Sequence, residues 1–198
     1  MKQIVFATHN LYKLDEVQSF FKDFPIEIIG LAEFQEIKEI KETGQTFLEN
    51  SLIKARFVFQ YTDLPTIADD TGLEVDYLDG APGVLSSRYA GKNSTDKENL
   101  EKLLFDLTDI PKKKRSAQFR TVISYVSGAR EQWVEGTVKG IILTAPKGKN
   151  GFGYDPVFWL ENRKKTFAEL TLKEKNSFSH RGLALQKLRK LLANDGCV

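Results

Sequence analysis

The chain reads Pro65-Thr66-Ile67-Ala68-Asp69-Asp70-Thr71-Gly72-Leu73 at the point that decides its fold. The short apolar run before Asp69 predicts a buried strand. The two carboxylates then lie at its carboxyl end, where open α/β sheets bind their ligands. Adjacent like charges repel each other unless a cation or a phosphate-bound metal lies between them. The alternative is a strand end in which Asp69 and Thr71 only cap a turn, and the surrounding segments decide between the two.

Composition indicates one globular domain over residues 1–198. The hydrophobic fraction of 41% and the charged fraction of 28% are typical of a soluble protein. Lysine and arginine number 29 against 27 acidic residues, and this balance gives no general surface for binding nucleic acid. Any affinity for phosphate must therefore be local.

The same reading predicts a cytoplasmic protein with no membrane segment. The apolar run after Met1 is too short for a signal peptide or a membrane span. The single cysteine, Cys197, excludes an intrachain disulfide and a cysteine metal cluster. The basic block Lys112–Arg115 follows Pro111 and predicts a solvated turn.

A candidate phosphate site lies at the first strand-to-helix connection. Residues 4–7 predict a buried strand, and Thr8-His9-Asn10 predicts the turn before an amphipathic helix that carries Lys13 in its first turn. Backbone N–H groups at a helix N-terminus attract anions, and Lys13 adds positive charge. The alternative makes Asn10 only an N-cap and Lys13 only a surface lysine.

A second helix follows Thr46, with a predicted buried stripe of Leu48, Leu52, Ala55 and Phe59. Lys54 and Glu49 lie off this stripe, which favours surface positions for both. Glu42, before the Gly44 turn, could point either into a cleft or into water.

The central part of the chain predicts a further helix and further strands. A short strand is expected over residues 73–76, separate from the one that ends at Ala68. Thr95 and Glu98 form the pattern of a capping box, ahead of a leucine-rich helix face. The alternating runs 117–126 and 132–143 predict antiparallel neighbours.

The last third contains a glycine-rich turn and a final helix. Glycines on both sides of Phe152 leave its ring accessible to a flat ligand, although a buried core phenylalanine is the plainer reading. Ser179-His180-Arg181-Gly182 predicts the start of the final helix, which buries Leu185, Leu188 and Leu192.

Taken together, these segments resemble the Ham1-like inosine triphosphate pyrophosphatases, which hydrolyse non-standard purine nucleoside triphosphates. The resemblance covers the whole chain. It rests on Thr8-His9-Asn10 with Lys13, Glu42-Thr43-Gly44 with Thr46-Phe47, Glu49-Asn50 and Lys54-Ala55, Ala68-Asp69-Asp70-Thr71-Gly72-Leu73, Gly151-Phe152-Gly153-Tyr154-Asp155-Pro156, and Ser179-His180-Arg181-Gly182. The family usually has glycine at the position of His9 and often serine at that of Thr71, which keeps the hydroxyl.

The resemblance implies an α/β fold with a long mixed sheet and flanking helices that form two lobes around a central cleft. It also implies a homodimer, Mg²⁺ dependence, and cleavage to a monophosphate and pyrophosphate. The implied catalytic residues are Asp70, Asp69 and Lys54, and the implied metal ligands are Asp70 and Glu42. The implied substrate-binding residues are Thr8, His9, Asn10, Leu11, Tyr12, Lys13, Thr71, Phe152, Gly153, Tyr154, Asp155, Lys175, His180 and Arg181.

Three alternatives remain open from the sequence. A related nucleotide pyrophosphatase would share the phosphate chemistry and prefer another base. A regulatory module would bind the nucleotide without turnover, although it would have no use for a water-activating carboxylate. A nucleic-acid-binding protein is disfavoured, because a net charge of +2 provides no extended basic surface.

Overall fold

The computed structural model describes residues 2–128 and 130–194; Cys197 and Ala129 lie outside them. Strands and helices alternate along most of the chain. The strands are β1 (Lys2–Phe6), β2 (Ile26–Gly30), β3 (Thr66–Val75), β4 (Ser116–Ser127), β5 (Arg130–Ile142), β6 (Phe158–Leu160) and β7 (Lys165–Thr166). The helices are α1 (Leu11–Phe21), α2 (Phe47–Thr62), α3 (Asp96–Asp106), α4 (Leu172–Phe178) and α5 (His180–Asn194).

The seven strands form one mixed sheet in the order β2-β1-β3-β4-β5-β6-β7. β1 runs parallel to both β2 and β3, whereas β6 is antiparallel to β5 and β7. The predicted α/β class with a long mixed sheet and flanking helices is confirmed, and β4 and β5 are the predicted neighbours. The cleft stays a prediction.

The chain divides into two compact units. Unit 1 comprises residues 1–70, 121–136 and 181–198, and unit 2 comprises residues 71–120 and 137–180. In unit 1 the alternation of β1 decides the packing: Ile4 and Phe6 contribute to the core with α1 and α5, while Val5 and Ala7 contribute to the core with α2. Unit 2 has its own core, formed by residues of β3 to β6, α3 and the segments around Tyr154 and Phe167.

The structure corrects the position of the two central carboxylates. β3 runs without a break from Thr66 to Val75, so Asp69 and Asp70 lie inside a strand and not at its end, and residues 73–75 are not a separate strand. The reason is that β3 has different neighbours on its two sides. Its pairing with β1 is at Thr66 and Ile67, whereas β4 borders it on the other side. Asp69 and Asp70 therefore lie in β3 just beyond the residues that pair with the end of β1.

The stripe predicted for α2 is confirmed at Ala55, but Leu48, Leu52 and Phe59 are only half-buried, and the surface position expected for Lys54 is wrong, since Lys54 is buried. The buried side chains are Phe47, Asn50, Ser51, Lys54, Ala55 and Val58. A capping box between Thr46 and Glu49 starts the helix, and its middle turns bury polar groups, including a 2.6 Å contact between the hydroxyls of Ser51 and Ser124. Apolar periodicity cannot reveal a face that is buried for polar reasons.

The basic turn is only partly solvated. Lys112, Lys113 and Lys114 are exposed as predicted, but Arg115 is 3% exposed. Its guanidinium donates hydrogen bonds to the carbonyl oxygens of Ile142, Leu107 and Leu143, at 2.8, 2.7 and 2.8 Å. A planar fork of donors suits this task, because it satisfies several buried carbonyls at once.

Other local predictions are confirmed. Thr95 and Glu98 form the capping box of α3, and α5 begins at His180 with Leu185, Leu188 and Leu192 fully buried. The sequence reading did not anticipate α4, whose capping box joins Thr171 and Glu174. Among the described residues, no helix combines the length and apolar character needed to cross a membrane.

We expect Arg115→Met to destabilise the fold. The substitution leaves the carbonyls of Leu107, Ile142 and Leu143 without the donors observed here. The cost should be roughly 3 kcal/mol, or a fall of about 6–12 °C in melting temperature. Thermal unfolding measures it. Lys113→Met, in the same turn but exposed, should leave the melting temperature unchanged; equal effects in the two variants would contradict the structural role of Arg115.

Candidate active site

The turn before α1 presents backbone donors at a helix N-terminus. Asn10 is the N-cap: its side-chain oxygen accepts a hydrogen bond from the backbone N–H of Lys13 at 3.2 Å, and its own N–H donates to the hydroxyl of Thr8. His9 contacts the carbonyl of Lys38 at 3.3 Å, and Leu11 and Tyr12 are exposed. Asn10 is thus a cap, as in the plainer reading, and this cap leaves a positive helix end that suits an anion.

A buried ion network surrounds Asp69. The ammonium of Lys13 donates to Oδ1 of Asp69 at 3.0 Å, and Nε and Nη2 of Arg181 both donate to Oδ2 at 3.2 Å. The remaining end of the Arg181 guanidinium donates to Oε2 of Glu16. Asp69, Arg181 and Glu16 are each at most 2% exposed. α1, β3 and α5 are therefore joined by alternating charges within unit 1.

The network keeps Asp69 ionised. Burial raises the pKa of the Asp69 carboxyl, but Lys13 and Arg181 outweigh that effect and hold the pKa well below its usual range. Burial also lowers the pKa of Lys13, which Asp69 partly offsets. For Arg181, Glu16 and Asp69 outweigh burial and raise the pKa.

Asp70 has different surroundings, although it is the next residue. Its Oδ2 accepts a hydrogen bond from Nδ2 of Asn50 at 3.1 Å, and it is 6% exposed. The other end of the same amide, Oδ1, accepts from the N–H of Gly44 at 2.8 Å. Asn50 therefore ties the turn after Glu42 to Asp70. Sequence reasoning missed this role; the available signal was an asparagine one helical turn before Lys54, on the same helix face.

The charge on Asp70 is disfavoured. Burial, together with the negative charge of Glu42, raises the pKa of the Asp70 carboxyl to about 6, although Lys54 and Lys13 oppose the shift. Lys54 is 9% exposed and donates to Oε1 of Glu42. Burial lowers the pKa of Lys54, but Asp70 and Glu42 outweigh it and leave the pKa raised.

The carboxylates of Glu42 and Asp70 form an acidic pair with hard oxygen ligands. Burial is the main cause of the raised pKa of Asp70, and the charge of Glu42 adds to it; a divalent cation would offset both effects. Residues 2–128 and 130–194 contain no cluster of three or more histidine, cysteine or acidic side chains suited to a metal. Mg²⁺ is nonetheless compatible with two carboxylates, because it keeps waters and takes phosphate oxygens.

The predicted base-binding residues of unit 2 also come together. The buried ammonium of Lys175 donates to Oδ2 of Asp155 at 2.7 Å and lies 4.8 Å from the ring centroid of Phe152. The same carboxylate oxygen accepts the N–H of Phe152 at 3.0 Å. A Cβ on Gly151 would lie 2.0 Å from it, so only glycine fits there. Phe152 is half-buried beside Gly153, and Tyr154 is buried.

Three further predicted residues have distinct positions. The His180 ring is buried and stacks on Phe119, with the ring centroids 4.6 Å apart. Arg181 belongs to the Asp69 network described above, and Thr71 is half-buried in β3. The predicted site residues thus form a group of lysines, an arginine and carboxylates in unit 1 and an aromatic, lysine-containing group in unit 2.

Comparison with known proteins shows similarity over nearly the whole chain. The profile described as "Ham1 family" matches residues 4–191. A "dITP/XTP pyrophosphatase" from Thermoanaerobacter pseudethanolicus is 50% identical, with 96% of each chain covered. One of the same description from Vibrio cholerae is 49% identical, with 97% of each covered.

Solved structures agree with the sequence comparisons. A HAM1 protein from Coxiella burnetii superposes with a TM-score of 0.89 at 45% identity, covering 98% of this chain and all of that one. The Ham1 protein of Staphylococcus aureus gives 0.87 at 39% identity, with the same coverage.

We expect opposite effects on stability when each of the two adjacent carboxylates, Asp69 and Asp70, is replaced by an amide. Asp69→Asn leaves Lys13 and Arg181 without a buried counter-charge and should cost roughly 3–5 kcal/mol. Asp70→Asn removes a charge that the fold disfavours. The pKa of the Asp70 carboxyl is about 6 in the folded protein, above its value in the unfolded chain. Asp70→Asn should therefore stabilise the fold by about 2–3 kcal/mol above pH 6, and this gain should vanish below about pH 4.

Unfolding in denaturant from pH 4 to pH 8, without divalent cations, measures both effects. Loss of stability in both variants at pH 8 would refute the contrast.

Proposed function

We infer that this chain, which belongs to the Ham1 family, hydrolyses non-canonical purine nucleoside triphosphates and so removes them from the nucleotide pool before they enter DNA or RNA. The observation that carries this conclusion is the close identity, over nearly full length, to proteins described as dITP/XTP pyrophosphatases. We further propose that ITP, dITP and XTP are cleaved to the monophosphate and pyrophosphate, in the cytoplasm.

In this proposal the triphosphate binds the residues of unit 1. The α1 N-terminus, with the side chains of Thr8, Asn10 and Lys13, supplies donors, and residues 9, 11 and 12 complete the turn. Lys54 adds a second cation next to Glu42. Support comes from the chemistry of phosphoanhydride hydrolysis, which requires mainly positioned water and spread negative charge.

Asp70 is the proposed acceptor of the proton from the attacking water. Support comes from its position beside Asn50 and from a pKa of about 6, which leaves it ionised yet basic at neutral pH. Asp69 is proposed to act through its charge, since Lys13 and Arg181 already contact both its oxygens.

Glu42 and Asp70 would hold Mg²⁺ in this proposal. When bound, Mg²⁺ supplies positive charge to the phosphate oxygens. The repulsion between the two carboxylates supports the assignment.

The purine base is proposed to stack on Phe152, next to Lys175. Hypoxanthine and xanthine carry a 6-oxo acceptor where adenine carries an amino donor. A buried donor such as Lys175 would donate a hydrogen bond to the former and meet a second donor in the latter. The proposed set is completed by Thr71, Gly153, Tyr154, Asp155, His180 and Arg181. Of these, Arg181 also donates hydrogen bonds to Glu16 and Asp69.

Pyrophosphate release from ITP, dITP, XTP, GTP, ATP and dUTP at equal concentration, with Mg²⁺, tests the function. We expect fast release from the first three, with a preference over ATP of about 10⁴-fold. Asp70→Asn should bind nucleotide and release none. Release from dUTP alone would indicate a pyrophosphatase with another base preference. Binding without release would indicate a regulatory module.

The metal assignment predicts a specific effect of Glu42→Gln. Removing one carboxylate ligand should raise the Mg²⁺ concentration for half-maximal activity by about tenfold. EDTA should abolish wild-type activity, and Mg²⁺ should restore it. Glu39→Gln, an exposed change in the same connection, is the matched control. An unchanged Mg²⁺ requirement in Glu42→Gln would exclude Glu42 as a ligand.

We also propose a homodimer. Support comes from the resemblance and from exposed large apolar side chains of unit 1, such as Trp133 and Phe57, which are 56% and 47% exposed. Light scattering should give twice the chain mass of 22.5 kDa. A monomeric mass at micromolar concentration would contradict the proposal.

A further inference from the structure

The turn that carries Phe152 is held from outside by the first residue of α3. The N–H of Gly153 donates a hydrogen bond to Oδ2 of Asp96 at 2.9 Å. The hydroxyl of Tyr154 donates to the carbonyl of Ser86 at 2.8 Å. Together with the bond from the Phe152 N–H to Asp155, these contacts fix the backbone on both sides of the Phe152 ring.

Asp96 is well suited to be a rigid anchor. It is the first residue of an eleven-residue helix, directly after the N-cap Thr95, where the positive helix end favours a carboxylate. α3 buries Leu100 and Leu103, and its C-cap Leu107 is also buried, in the core that contains Tyr154. The anchor and the turn therefore share one core within unit 2.

The contact has no evident purpose in core packing. Asp96 is exposed, and a Cβ built on Gly153 would meet nothing within 4 Å. Gly151 and Gly153 both have positive φ, at +76° and +59°. Two such glycines give the Phe152 backbone much conformational freedom, so an external acceptor at Gly153 removes freedom at the position next to the ring.

We propose that Asp96 is a positioning residue for base recognition. It fixes the Phe152 turn in the conformation that receives the flat base. This inference rests on the proposed function, in which Phe152 stacks on the purine. A preorganised turn lowers the ordering cost of binding, so Asp96 strengthens the binding of any ligand that carries the base.

The expected kinetic signature is confined to binding. Stacking on the base is equally strong in the ground and transition states, so Asp96→Ala should raise KM for ITP about fivefold and leave kcat unchanged. The affinity for inosine monophosphate should fall by the same factor, while that for pyrophosphate, which has no base, should not change. Asp96→Asn retains an oxygen acceptor and should stay within about twofold of wild type.

The experiment compares wild type, Asp96→Ala, Asp96→Asn and Phe152→Ala, with Glu101→Ala as the control for loss of an exposed negative charge on α3. Steady-state kinetics with ITP gives KM and kcat. Competitive inhibition by inosine monophosphate and by pyrophosphate gives the two affinities. Amide hydrogen exchange should accelerate at Gly153 in Asp96→Ala by about fivefold and not in Glu101→Ala.

Each outcome decides the matter. Weaker inosine monophosphate binding in Asp96→Ala and Phe152→Ala, with unchanged pyrophosphate binding, supports the inference. Weaker binding in Phe152→Ala alone, or equal losses for both ligands in Asp96→Ala, overturns it. Unchanged binding of inosine monophosphate in Phe152→Ala also overturns the inference, because it contradicts the premise that Phe152 stacks on the base. A wild type that does not hydrolyse ITP instead refutes the proposed function, and hydrogen exchange then still reports on the anchor.

Discussion

The buried contact between Arg181 and Asp69 is the constraint on which the arrangement of unit 1 depends. The Arg181 guanidinium is fully removed from water, and the carboxylates of Glu16 and Asp69 compensate its charge from different sides. Because Asp69 also binds Lys13, this lysine in the first turn of α1 is fixed by the same network. The position of the α1 N-terminus therefore follows from an ion network as well as from apolar packing.

This network explains how two adjacent carboxylates differ so much. Successive residues of a strand point to opposite faces, so Asp69 meets Lys13 and Arg181 while Asp70 meets Asn50 on α2. One pKa is lowered by cations and the other is raised by burial and Glu42. Opposite shifts in neighbouring groups are the pattern by which two carboxylates can take different roles. An Asp-Asp pair inside a strand thus places two adjacent carboxylates in different electrostatic environments.

The sequence could predict what depends on local chemistry. The N-cap at Asn10, the capping box of Thr95 and the start of α5 were all evident from neighbouring residues. Features that depend on distant pairing were not evident. β3 continues past Asp70 because β4 lies alongside it, and the buried face of α2 includes Asn50 and Lys54, which contact Asp70 and Glu42. Asn50, Glu16 and Arg115 look like ordinary surface residues until their distant partners are known.

The lysines of the two candidate groups are held by different sets of partners. In unit 1 the cations Lys13 and Lys54 are held by carboxylates, so an incoming phosphate competes with ion pairs that already exist. In unit 2 the cation Lys175 is held by Asp155 and lies over the aromatic ring of Phe152. Under the proposed function, phosphate affinity would come from exchange of the ion pairs of Lys13 and Lys54, and base affinity from the aromatic ring beside the Lys175–Asp155 pair. A nucleotide carries both an anionic phosphate chain and a flat base, and therefore offers a chemically suitable partner to each kind of group.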